Sequence, residues 1–171
     1  TTAQVASLTT SQIGALTSGA TGQVASLTTG QIGALTAAQA SALTTTVLGS
    51  MSTAQRQAIS TKEIAALSTA QVSSLTTTQV ADLTTGQVAA LTTAQAGALT
   101  TAQVATLTTG QLNALSTKDV ASLTTTQVGA LTTGQVGVLT TAQVASLTTS
   151  QIGALTSWAT GQVASLKIGR A

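Results

Sequence analysis

The chain has no cysteine, proline, histidine, tyrosine or phenylalanine, and Trp158 is its only aromatic residue. Without cysteine there can be no disulfide and no thiolate ligand; without histidine the most frequent general base and metal ligand is also missing. Three carboxylates remain, Glu63, Asp82 and Asp119. Two of them, Glu63 and Asp119, stand at equivalent places of a repeat and not beside a nucleophile. Thr and Ser abound, but none has a neighbouring base to activate it. No glycine-rich phosphate motif is present. The expectation is a protein that is not an enzyme and that holds no metal and no cofactor.

Charge is scarce too. Charged residues make up 5% of the chain and the net charge is +2, where an ordinary domain is about a quarter charged. Arg56, Lys62, Lys118, Lys167 and Arg170 form no run and have no interleaved aromatics, so nucleic-acid binding is not expected. Long apolar runs are missing despite a hydrophobic content of 43% and a mean hydropathy of +0.42. Thr, Thr and Gln interrupt every unit, so no window of about 18 apolar residues exists and no membrane-spanning helix is expected. The chain starts without an initiator Met or signal segment, which reads as part of a longer or processed protein. The lack of oxidisable cysteine fits an extracellular or cell-surface setting.

What is present is one eight-residue phrase. Residues 84–107 read TTGQVAALTTAQAGALTTAQVATL, the pattern T-T-x-Q-V-x-x-L three times, with Ala96 for Val in the middle unit. Twenty such units run from residue 1 to residue 166, eighteen of eight residues and two of eleven, at 17–27 and 156–166. Position 8 is apolar in all twenty, position 5 in nineteen and position 4 is Gln in seventeen. A larger period overlies the small one: residues 1–27 match 140–166 everywhere except Gly19 against Trp158. The expected organisation is a single array over 1–166, degenerate in the units 44–59, followed by a tail, 167–171 (KIGRA).

A period of eight fits neither regular structure. On one strand, positions 5 and 8 would point to opposite faces. On one continuous helix, an octad advances about 800°, about 80° past two turns, and the apolar stripe drifts around the axis. A short helix restarted in each octad satisfies both. In Leu83-Thr84-Thr85-Gly86-Gln87-Val88, Thr84 as N-cap places Gln87 at the third helical position, a capping box, while Leu83 and Val88 occupy the two places of a hydrophobic staple. Glu63 and Asp119 replace Gln where the helix dipole favours an acid. The expected fold is all-α, a tight α-solenoid with one short helix per octad, bent at the Thr-Thr junction, with Val and Leu inward. A β-solenoid with a turn in each octad is the alternative. Two octads per coil is the simplest closure.

The Leu-Thr-x-x-Gln-Val stretch resembles the opening of the TAL-effector repeat, which begins a short helix; the base-reading loop of those repeats has no counterpart here. Over nearly the whole chain, the tandem LTTAQVxAL phrases resemble octapeptide arrays of long bacterial surface or secreted repeat proteins. The resemblance implies a structural role: a building block of an extracellular filament, sheath or adhesin stalk whose partner is the protein itself, end to end or laterally. The alternative is an ice-binding or other adhesive surface, should the Thr pairs of successive coils stack in register. Two irregular residues stand out as intersubunit contacts, Trp158 in an eleven-residue unit and Arg56 at an otherwise apolar position. A slot that holds Gly19 in one copy and Trp158 in the other is expected to bulge outward.

Overall fold

A computed structural model describes residues 1–19 and 22–158, with side chains described as far as Leu155. These residues form eighteen α-helices and a 3-10 turn, Gln23–Ser26, and contain no strand. The protein is an α-solenoid, and the β-solenoid alternative is overturned for the described residues. From Thr2–Ala6 to Thr141–Ser146, each octad contributes one helix of four to six residues or, in the first eleven-residue unit, the 3-10 turn.

The local reason for each helix is the box anticipated from the spacing. In Thr101–Thr106, the N-cap Thr100 has φ −71 and ψ 158, outside the helical region. Its Oγ1 accepts from the Gln103 amide at 3.1 Å, and its own amide donates to Gln103 Oε1 at 2.7 Å. Two of the orphan donors of the first turn are thereby satisfied. The helix stops one and a half turns later at Leu107, φ −56 and ψ 131, whose amide bonds the Val104 carbonyl at 3.2 Å. Leu107 and the next cap Thr108 (φ −65, ψ 159) are both extended. The bend is therefore at Leu-Thr rather than Thr-Thr. The second Thr of the pair already has helical geometry, because only the cap must leave the helical region.

Burial follows the octad. Positions 1 to 3 are exposed almost throughout, while positions 4, 5 and 8 are largely buried from the second coil onward. The core is a narrow file of Val and Leu, among them Val104, Leu107, Leu112, Leu115, Val120 and Leu123. A helix this short does not persist alone in water; it is stabilised by the coils above and below it.

The coil is larger than two octads. Helix Thr101–Thr106 packs chiefly on Thr77–Ala81, the third helix before it. Gln103 reaches back further, to carbonyls 28 and 31 residues earlier. One coil therefore takes about 28 residues, three and a half octads, and the two-octad closure is overturned. A two-octad coil would leave the position 4 side chain facing its own neighbours, with no carbonyl to receive it. The position 4 glutamine reaches the position 8 carbonyl of the coil beneath, and the Thr pair lies near positions 3, 4 and 7 of the coil above: Thr85 beside Gly110, Thr93 beside Asp119 and Ser122.

The first eleven-residue unit keeps this register. Thr17 and Gln23, six residues apart, still form the box: the Thr17 amide donates to Gln23 Oε1 at 3.2 Å and the Gln23 amide to Thr17 Oγ1 at 3.2 Å. Gly19 is exposed, has φ +100, and has open space where a Cβ would stand. Gly19, the slot that holds Trp158 in the other copy, faces outward, as expected of that slot, while Gly22 is buried. The coil-to-coil spacing across the bulge rises by three, from 31 and 28 to 34 and 31, in the bonds from Gln39 to Val5 and Leu8. In the second copy, Trp158 stands where Gly19 does, and the helix Thr149–Trp158 runs ten residues across the junction. A left-handed backbone suits Gly and not Trp. The rest of that unit and the tail lie outside the described residues.

Candidate functional site

The side chain that organises the molecule is the glutamine at position 4. Its Oε1 completes the capping box. Its Nε2, which the box leaves unused, donates to the preceding coil. Gln95 Nε2 bonds the Ile64 carbonyl at 2.8 Å and the Leu67 carbonyl at 2.7 Å. Gln87 does the same to Arg56 and Ile59 at 2.7 and 2.8 Å, Gln143 to Leu112 and Leu115, both at 2.9 Å. These amides are almost wholly buried, Gln95 and Gln103 at 1% exposure. The carbonyls they fill lie at the ends of helices: those at position 8, such as Leu67, have no backbone partner, and those at position 5, such as Ile64, have only the amide that ends their own helix. One amide thus starts its own helix and caps the end of a helix one coil below. Both polar atoms of the buried amide are used, as burial demands.

This second role was missed from the sequence, although a signal for it exists. An acid can also complete the box, as at Asp119, whose amide donates to Ser116 Oγ at 3.2 Å while its carboxylate accepts from the Ser116 amide at 3.1 Å. Gln is nevertheless kept in seventeen of twenty units, and only Gln also donates. At the acidic positions the donation is lost. The Glu63 carboxylate accepts from the Ser60 amide at 3.1 Å, and among the described residues it has no hydrogen bond to the coil below. Asp119 accepts from the Ser116 amide at 3.1 Å and recovers one contact between coils, from Thr93 Oγ1 at 3.1 Å.

The degenerate units 44–59 carry the other exception. Val47 replaces the bridging Gln and is buried. Arg56, at the apolar position 5, is 5% exposed. Its Nη1 donates to the Met51 carbonyl, and its Nη2 lies 3.3 Å from both Thr53 Oγ1 and Asp82 Oδ2. Thr53 Oγ1 donates to the same carboxylate oxygen at 2.7 Å, and Gln57 Nε2 donates to the Asp82 carbonyl at 2.7 Å. Asp82 lies 26 residues on from Arg56, so the cluster ties two coils together. It also displaces a bridge. The Met51 carbonyl, which stands to Gln79 as the Leu75 carbonyl stands to Gln103, is taken by Arg56, and Gln79 bonds the Gly49 carbonyl at 2.6 Å instead. Arg56 is thus engaged inside the chain and not displayed for another. Trp158 ends the last described helix; its side chain lies outside the described residues. Beside the degenerate units, Ala25, Leu27, Thr28, Thr29, Ser50, Ser52 and Gln55 line a shallow hollow that contains no titratable group.

The end of the rod nearest the N-terminus differs from its interior. Gln4, Gln12 and Gln23 are exposed and Gln31 half-buried. All four complete their boxes through Oε1, and none has a partner for Nε2 among the described residues. Leu8, Leu16 and Leu27 are only partly buried there, whereas Leu107 and Leu115 of the interior are 3% and 2% exposed.

Fold and bridges together define a helical repeat protein, an α-solenoid whose coils are closed by side-chain amides on backbone carbonyls. The ALTTAQ repeat model matches residues 48–85, 82–109 and 104–141, and the chain belongs to that family. No curated protein and no solved structure matches it. Among the described residues no helix is long and apolar enough to cross a membrane.

Proposed function

We propose that the chain is a structural element, a rod-forming segment of an extracellular filament, sheath or adhesin stalk at the cell surface, with no enzymatic activity. The observation that carries this reading is that the bridges run from a repeated side chain to backbone carbonyls. Such bonds can be repeated indefinitely without a matching side chain on the partner, so length is obtained by adding octads. Scarce charge and exposed Thr leave a neutral, hydroxyl-rich outer surface suited to close lateral packing. An antibody to the array, applied to intact cells of the source organism, tests the location. Labelling of intact cells together with loss of the epitope on brief external proteolysis supports it; labelling only after lysis overturns it.

An adhesive or ice-binding surface has one feature in its favour, the exposure of the Thr pairs. Thermal hysteresis by the purified chain would establish this reading over the structural one.

A further inference from the structure

We infer that Arg56 and Asp82 are the register mark of the array: the pair fixes which octad lies over which when otherwise interchangeable coils stack during folding. The bonds that repeat along the rod cannot make that choice. The glutamine bridges end on main-chain carbonyls at positions 5 and 8, which nearly every octad offers alike. The apolar core repeats too, Val at position 5 and Leu at position 8. Slid by one octad, most coils would meet the same acceptors and the same apolar surface. Wrong pairing of like units is a characteristic failure of repeat proteins.

Among the described residues, side chain bonds side chain across coils at two places: Arg56 and Thr53 with Asp82, and Thr93 with Asp119. The second place does not discriminate. Thr85 and Thr101 stand one octad either side of Thr93 and would serve Asp119 equally. Thr53 is likewise flanked at that spacing by Thr45 and Thr61. Arg56 has no such equivalents. A slip of one octad would set Asp82 against Leu48 or Ile64, and Arg56 against Ser74 or Ala90. Arg56 is 5% exposed, and its bond to Asp82 at 3.3 Å is the only ion pair among the described residues. A slipped coil therefore encloses the guanidinium without its counter-charge, a far larger cost than the pair repays when it is made. The pair need not add stability to do this. A buried ion pair is often no better than the apolar residues it replaces, and its attested use is to single out one arrangement among near-equals. That accounts for an arginine at a position that is apolar in the other nineteen units. One mark serves the whole array, because octads added in chain order to a seated coil inherit its register.

The test refolds the 171-residue chain by rapid dilution from urea, labels it at once with a pulse of deuterium and reads its peptides by mass spectrometry. A slipped molecule must extrude one octad as a loop. The loop exchanges fast while stacked octads stay protected, so slipped and unslipped molecules give separate isotopic envelopes. Two variants are compared with the unaltered chain, Arg56→Val alone and Arg56→Val with Asp82→Ala. Both restore the octad pattern, so the helical circular dichroism spectrum should be regained and stability at equilibrium should not fall. The unaltered chain should refold to one envelope, and each variant should show about tenfold more slipped molecules just after refolding. A folded variant that refolds to one register as cleanly as the unaltered chain overturns the inference, as does an unaltered chain that itself refolds to a mixture. A variant that does not regain its helical spectrum also overturns it, since the pair would then be needed for the fold itself and not for the choice of register.

Discussion

A single amide with two separate tasks, the position 4 glutamine, holds the rod together residue by residue. Replacing Gln103 by Glu keeps the box through Oε1 but removes the donations to Val72 and Leu75 and brings a carboxylate against their carbonyls. Stability should fall by about 1–3 kcal/mol, read from denaturant midpoints at constant slope. The converse change, Glu63→Gln, should raise stability by about 1 kcal/mol by restoring a bridge the chain lacks. Arg56 behaves differently, since its guanidinium is buried and Nε has no partner. Arg56→Val restores the octad pattern and should be neutral or stabilising, while Asp82→Ala, which strips the buried cation of its counter-charge, should cost about 1–3 kcal/mol. Thermal melts of the two variants and of the double variant decide it. The box was legible because Thr and Gln recur three residues apart, a local signal. The bridge was not, because its acceptors are main-chain carbonyls, which leave no mark in a sequence.

As an element, the octad is a helix together with its interruption. The helix was legible from Thr84, Gln87 and the staple pair Leu83 and Val88. The place of the bend was not, because the spacing names Thr84 as the cap but gives no sign that the Leu before a cap also leaves the helical region, as the backbone angles of Leu107 and Thr108 show. The first eleven-residue unit shows how far the element tolerates change. A Cβ at Gly22 would stand 2.5 Å from the Ser18 carbonyl oxygen, whereas one at Gly19 meets nothing. Gly22→Ala should therefore destabilise by about 1–3 kcal/mol. Lengthening the bulge by one Gly beside Gly19 should cost less than about 1 kcal/mol, since loop length is inexpensive. Urea titrations of the pair check both. Equal effects at the two sites would mean that the bulge is packed rather than extruded.

Along the whole rod, stability is shared because each coil is held by its neighbours. The array and its α-helical character were evident from the repeat alone. The coil size was not: closures of two, three, three and a half or four octads are all compatible with the apolar pattern, and the choice is made by where Gln103 can reach. A stack of this kind should open from its ends. Amides of the first four units, residues 1–35, whose glutamines bridge to no coil beneath, should exchange with solvent at least tenfold faster than those of 84–131. Hydrogen exchange followed by mass spectrometry reads this directly.

The glutamine bridges require a coil of about three and a half octads. The absence of native cysteine makes it directly testable by paired cysteine substitution. Ser122 Oγ lies 3.1 Å from the Thr93 carbonyl, 29 residues away. Ser122→Cys with Thr93→Cys should join rapidly through a short bismaleimide within one chain, and Ser122→Cys with Thr106→Cys, two octads apart, should not. Rapid joining of the two-octad pair, with none between positions 93 and 122, would contradict the coil and the glutamine bridges that close it.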